Sequence, residues 1–319
     1  MLKLIQNEWM KIFKRPGTYV MIGLLILITT VAGGFIKYQD LKGTVPDNTE
    51  WKRGLQVQNE NYKKQLEEMG DSAPGNAKEY LEREMALNNY RIEHDISPNE
   101  DYSIWGFVTD AAQSIEFVGL FTIIIAAGIV ASEFNWGTIK LLLIRPIKRG
   151  RILLSKYITV LLFGLFILTL LFVYSAGLGA ILFGMPESSV PYLNYYDGKI
   201  TEQSMFVHLV IYYGLKSINM VMLATMAFMI SAAFRNSSLA IGLSLFLFFM
   251  GGQVTHLIAM KYDWAKYILF ANTDLLQYFE GSPMVSGMTI SFSVLILVLY
   301  FLLFQFIAFY VFKKRDVAA

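Results

Sequence analysis

Cysteine is absent from the 319 residues. This excludes a disulfide framework, a thiol nucleophile and a thiolate metal site. Histidine is scarce: His94, His208 and His256 stand far apart, which argues against a histidine metal centre or a Ser-His-Asp triad. Charge is scarce as well. Charged residues make up 16% of the chain, against about 25% in a typical soluble domain. Hydrophobic residues reach 55%, and the mean hydropathy is +0.46. An ordinary soluble enzyme and a disordered chain are therefore excluded, and a polytopic, all-α membrane protein is expected. A nucleotide loop is also missing. A Walker A motif needs Gly-x-x-x-x-Gly-Lys-Ser/Thr so that backbone amides surround the phosphates. The only Gly-Lys pair, Gly198-Lys199, is followed by Ile200.

What is present is long apolar runs. A spanning helix needs roughly 20 mostly apolar residues, and six segments qualify: Tyr19–Ile36, Phe107–Ala131, Ile152–Phe183, Phe206–Phe234, Leu239–Ala259 and Val285–Phe312. The first is too long for a cleaved signal peptide, and no small-x-small site follows before Lys37. An even number of spans puts both termini on one side. That side carries 14 basic and three acidic residues, net +11, and the opposite side 12 basic and 20 acidic, net −8. Lys156, near the start of the third run, is counted with the loop charges on the side of the termini, and the remaining three charges, Asp110, Glu116 and Lys216, fall within spans. The positive-inside rule then predicts cytoplasmic termini. Three regions follow: 1–36 (an N-terminal segment and the first span), 37–106 (an external insert) and 107–319 (five spans with a cytoplasmic loop at 132–151).

In the insert, Trp51, Leu55, Tyr62, Leu66 and Met69 form one helical stripe, and Ala77, Leu81, Met85, Asn88 and Ile92 a second. Gly70-Asp71-Ser72-Ala73-Pro74-Gly75 breaks the chain between them, and Asn76 with Glu79 resembles a capping box. An external helical hairpin is expected, serving either as a structural cap or as a contact for substrate or partner. At the N-terminus, Leu2, Ile5, Trp9, Ile12 and Phe13 share a face, with Lys3, Lys11 and Lys14 off it. This predicts an interfacial elbow helix that stops at Pro16-Gly17.

The stretch from Glu133 to Arg151 is richer in signal. Gly137-Thr138 permits a sharp redirection, Ile139–Ile144 can form a short helix, and Pro146 stops it before Lys148, Arg149 and Arg151. From the residues alone, the loop is either a docking element for a cytoplasmic partner or a basic turn that fixes topology.

The pattern Glu133-Phe134-x-x-Gly137-Thr138-x-Lys140-x-Leu142-Leu143-x-x-Pro146-x-x-Arg149 resembles the cytoplasmic loop of type 2 ABC exporter permeases. So do Asn7-Glu8-Trp9-x-Lys11 ahead of Arg15-Pro16, the ending Phe312-Lys313-Lys314-Arg315-Asp316, and six spans with a large loop after the first. The resemblance covers nearly the whole membrane portion but not the 44–100 insert. It implies a permease subunit whose loop carries a coupling helix. Ile139, Lys140, Leu141 and Leu142 would lie in its core, Glu133, Gly137 and Thr138 at its start, and Pro146 and Arg149 at its end. It further implies an ATP-binding partner subunit that holds ATP and Mg, a second permease (a copy or a related chain), membrane lipid around both, and no nucleic acid. No cofactor or metal is expected on this chain. The substrate implied is amphipathic or hydrophobic, such as a peptide, an antibiotic or a lipid-like molecule.

Ionisable groups within a span are functional candidates. Glu116 and Lys216 fall at similar depth with opposite sign, so an ion pair is expected, either fixing helix packing or forming a polar site on the export path. Asp110 is expected to be hydrated. His256 is expected to hydrogen-bond rather than ligate, and Gly251-Gly252 to permit a bend or a close helix approach. An aromatic-rich segment, Tyr262–Pro283, is too polar to span and is expected as a short helical or re-entrant piece. Two other functions are weighed. A membrane protease is disfavoured, because Glu67-Glu68 lies in the insert, without an Arg three residues on or a nearby pair of His. A transmitter or sensor that moves its external part and carries nothing stays open.

Overall fold

The structure is a computed structural model. It describes all residues except 43–50, 70–74, 99–101, 139–146, 186–190, 197, 235, 280–282 and 315–319, and the backbone alone of 75–77 and 196. Helix α1 spans Leu2–Phe13, and α2 runs from Pro16, at the first helical position that proline favours, to Lys42. Next come α3 (Trp51–Met69) and α4 (Gly75–Glu93). The second span is broken into α5 (Ile104–Ala111), a 3-10 turn at Ala112–Ser114, α6 (Ile115–Gly128) and α7 (Ala131–Asn135). Then follow α8 (Arg149–Phe183), strands β1 (Tyr192–Tyr196) and β2 (Lys199–Gln203), α9 (Met205–Ala233) and α10 (Ser237–Ala259). A short α11 (Leu269–Asn272), between 3-10 turns at Asp263–Tyr267 and Leu276–Tyr278, leads to α12 (Ile290–Lys314). Among the described residues, six helical stretches are long and apolar enough to cross a membrane. The chain is an all-α multi-pass membrane protein, and its described residues also hold a two-stranded antiparallel ladder that pairs Tyr192 with Gln203 and Tyr196 with Lys199.

Several boundaries differ from expectation. Helix α2 continues past residue 36, and α5 begins before residue 107, so both domain boundaries fall inside helices. The last span starts at Ile290 rather than Val285. Gly287 adopts φ +78°, a turn that favours glycine, and Val285 and Met288 bury themselves against Ala265 and Ala271. Asn76 lies inside α4 and is not its cap.

The core is built by α5, α6, α8 and α9, with α12 against α9. A helix broken within a membrane must satisfy its freed backbone groups inside the protein. Between α6 and α7, the Ser231 hydroxyl of α9 accepts from the amides of Val130 (3.2 Å) and Ala131 (3.0 Å). This fixes the direction in which α7 leaves. Phe107 of α5, 1% exposed, lies against Gly33 of α2 and Gly179 of α8, where an added Cβ would meet its ring at 3.0 and 3.1 Å.

At the end opposite the termini, α3 packs on α4. Asn88, 1% exposed, donates to Asn59 Oδ1 (3.0 Å) and Gln58 Oε1 (3.3 Å), while Leu55, Leu81 and Leu87 are buried. The segment after α10 is organised by the buried Asn272. It donates to the Lys266 and Ile268 carbonyls at 2.8 Å and accepts from Ser293 at 2.7 Å. Helix α10 runs unbroken through Gly251-Gly252, and Gly251 provides the close approach: a Cβ there would collide with the Phe270 ring, whereas Gly252 faces open space. Gly251→Ala is expected to cost about 1–3 kcal/mol and Gly252→Ala within about 0.5 kcal/mol, as measured by thermal unfolding in detergent.

Candidate functional site

Four charged side chains from three helices converge at the end of the bundle that holds the termini. Lys156, in the second turn of α8, is 0% exposed. A buried ammonium needs acceptors for its three protons. Lys156 Nζ donates to Glu8 Oε2 of α1 (2.6 Å), Glu133 Oε1 of α7 (3.0 Å) and the Ile129 carbonyl (3.2 Å). Lys11, one turn after Glu8, donates to Glu8 Oε1 (2.8 Å) and Glu133 Oε1 (2.9 Å). Two acids and two bases thus alternate around a closed ring of zero net charge. Both carboxylates are themselves buried.

Burial alone would lower the Lys11 pKa, but its hydrogen bonds to Glu8 and Glu133 and the charges on them outweigh it and raise the value above the ordinary 10.5. The contribution of Lys11 to holding α1 is therefore complete below pH 10.5 and is lost only as the pH rises through the raised value.

The ring is joined to the start of the 137–148 loop. Thr138 donates its hydroxyl to Glu133 Oε2, and Gly137 turns the chain at φ +67°. Around it, Trp9 and Phe13 of α1 pack edge-on against Phe166 of α8, at centroid separations of 5.8 and 5.5 Å. The Arg15 guanidinium lies 5.3 Å over the Trp136 ring. Asn135 donates to Ser237 of α10 at 2.9 Å. Arg149 opens α8 and donates to the Lys313 carbonyl at the end of α12 (3.3 Å). The residues that flank 137–148 thus touch Arg15 after α1, the start of α10 and the end of α12. Ile139, Lys140, Leu141, Leu142 and Pro146 lie outside the described residues.

Glu116 and Lys216 line one cavity of about 190 Å³, together with Asn219, Phe248 and Asp274. The expected ion pair is not formed. The Lys216 ammonium instead lies 5.1 Å over the ring of Tyr212, one turn back on α9. Glu116 sits in the first turn of α6, which favours an acid through the helix dipole. Asp110 accepts a hydrogen bond from Tyr102 at 2.5 Å. His256 is exposed in the last turn of α10. Among the described residues, no three His, Cys, Asp or Glu gather as a metal site.

The family described as "Protein of unknown function (DUF2705)" matches residues 85–318. The chain belongs to the DUF2705 family. It is 52% identical over 320 residues to a Bacillus subtilis (strain 168) chain described as "Uncharacterized protein YhcI", covering all of both. It is 31% identical over 235 residues to "Uncharacterized membrane protein YdbK" of the same strain, covering 73% of this chain and 90% of that protein. In this DUF2705 chain the family match takes in Glu133 and Lys156 but stops short of Glu8 and Lys11.

Sequence reading found Glu133, Gly137, Thr138 and Arg149 at this end and missed three members of the ring as site residues. Glu8 and Lys11 were noted in the N-terminal motif alone. Lys156 was counted among loop charges, although it follows Ile152, the start of the third apolar run. A lysine inside an apolar run is itself the signal that could have marked it.

Proposed function

We propose that the chain is the membrane-spanning subunit of an ATP-driven ABC exporter. The observation that carries this reading is the buried ring of Glu8, Lys11, Glu133 and Lys156, whose acid Glu133 also holds Thr138 at the start of the 137–148 loop. A push on that loop acts on α7, α8 and α1 together, because none can move without exposing a buried charge. In this reading α1 is the elbow helix in the cytoplasmic interface of the plasma membrane, and both termini are cytoplasmic. The loop docks on a separate subunit that holds ATP and Mg, and a second permease completes the path. Helices α3 and α4 form the external hairpin. The cavity at Glu116 and Lys216 is a polar station for an amphipathic or hydrophobic substrate, since charge placed within spans must meet water, a partner or a ligand.

A transmitter that carries no substrate is the second reading. It is favoured by the direct links of α4 to the segments that lead into α12 and α9, through Arg83 to the Phe279 carbonyl and Tyr90 to Glu202 of β2.

The test is to purify the chain with its ATPase subunit and reconstitute the complex. Gly137→Val strains a backbone at φ +67°, and Thr138→Val removes the hydroxyl on Glu133 at nearly constant volume. Both are expected to cut substrate-stimulated ATP hydrolysis at least about fivefold. Unchanged hydrolysis in both would end the coupling role. ATP-dependent efflux from the reconstituted complex separates exporter from transmitter.

A further inference from the structure

A second cavity lies at the opposite end of the molecule, between α4, the start of α5 and the strand β1. Its volume, about 410 Å³, falls in the usual range for small-molecule sites, roughly 300–1,000 Å³. Arg83, Leu87 and Arg91 project into its wall from successive turns of α4, the four-residue spacing that puts side chains on one helix face. Arg83 spends one guanidinium nitrogen on the Phe279 carbonyl, while its Nε is buried with no acceptor. The Arg91 side chain has no hydrogen bond or ion pair among the described residues. Glu84 also lines the cavity but pairs with neither arginine, so the wall carries a net positive charge with unused donors.

Apart from Ser97 and Ser103, the rest of the lining is apolar or aromatic. Trp105 and Tyr102 stand where the second span begins, Met205 where α9 begins, and Leu193 comes from β1. Tryptophan and tyrosine at span ends mark the depth of lipid headgroups. A guanidinium presents a planar fork of donors that matches phosphate oxygens. A cavity with two such forks at one wall, an apolar floor, and a position at the ends of spans suits a molecule with an anionic phosphate and a greasy part.

We propose that this cavity binds the phosphate of an anionic amphiphile, with Arg83 and Arg91 on the phosphate and Leu87, Leu193 and Met205 against its apolar part. The site is separate from the charged ring and does not depend on coupling to an ATPase. Its ligand comes either from the surrounding leaflet, as a phospholipid headgroup, or from solution, as a free phosphate compound.

The experiment titrates the purified full chain, in neutral maltoside detergent, with three probes: dihexanoyl phosphatidic acid, dihexanoylglycerol and inorganic phosphate. Calorimetry is expected to show the phosphatidic acid binding at least about tenfold tighter than either of the others, since each lacks one half of the recognition. Arg91→Gln is expected to weaken phosphatidic acid about tenfold or more with an unchanged unfolding temperature, because Arg91 has no protein partner to lose. Leu87→Trp, which fills the cavity, should abolish binding independently. Phosphatidic acid affinity that is unchanged in both variants overturns the site. Inorganic phosphate binding as tightly as the lipid overturns the membrane source and leaves a free anion. Dihexanoylglycerol binding as tightly overturns the role of the arginines.

Discussion

Lys156→Met is expected to destabilise the chain by about 3–5 kcal/mol, the usual cost of removing one partner from a buried charge network. The reason lies in what the substitution leaves behind. Methionine fits the space of the lysine stem, so packing changes little. But Glu8 and Glu133, both buried, would then share a single cation, Lys11, whose side chain is 38% exposed. Two carboxylates with one half-hydrated partner repel each other and lose hydrogen bonds that water cannot replace. Thermal unfolding in detergent, together with the fraction eluting as a monodisperse peak, measures the loss. Pairing the change with Glu133→Gln removes the excess negative charge and should recover about half of it. A double variant whose loss is the plain sum of the two single losses would show that the ring does not act as a unit.

Phe107→Ala is expected to cost about 3 kcal/mol, the lower end of the range for a large aromatic. In lipid the apolar transfer contribution shrinks, while lost packing contacts remain. Phe107 fills the space that Gly33 and Gly179 leave between α2, α5 and α8, where an added Cβ would fall within 3.1 Å of its ring. The first span is otherwise weakly held, with 17% of its most apolar window buried. Truncation should therefore loosen α2 before the rest. Cysteine pairs placed on α2 and α8, a clean experiment in a chain without native cysteine, should cross-link more slowly in the variant. Equal cross-linking rates would argue that α2 is anchored elsewhere.

Much of the fold was legible, for physical reasons that differ by element. Spans are set by hydrocarbon thickness, so composition alone located six to within about six residues at either end. Pro16-Gly17, expected as the stop of the elbow helix, falls at the junction of α1 and α2, and Leu55 and Leu81 of the two stripes are buried between α3 and α4, though Met69 of the first stripe is exposed. The breaks in the second span were not legible. Ala112–Ser114 holds neither proline nor glycine, and the gap before α7 is maintained by Ser231, about 100 residues away. The β1–β2 ladder was missed, although Asp197-Gly198 directly after the Tyr-rich run Tyr192–Tyr196 is a hairpin signal. The pairing of Glu116 with Lys216 was inferred from similar depth and opposite sign. Depth does not give the azimuth around a helix, and the two side chains face one cavity without meeting. The ring shows the same limit from the other side: its members were visible as letters, but nothing local links residue 8 to residue 156.

That separation of 148 residues sets an order of events during synthesis. Helix α1 leaves the ribosome well before α8, yet Glu8 has no buried counter-ion until the third span has been threaded into the membrane. Helix α1 must therefore wait at the surface and is among the last parts of this end to lock.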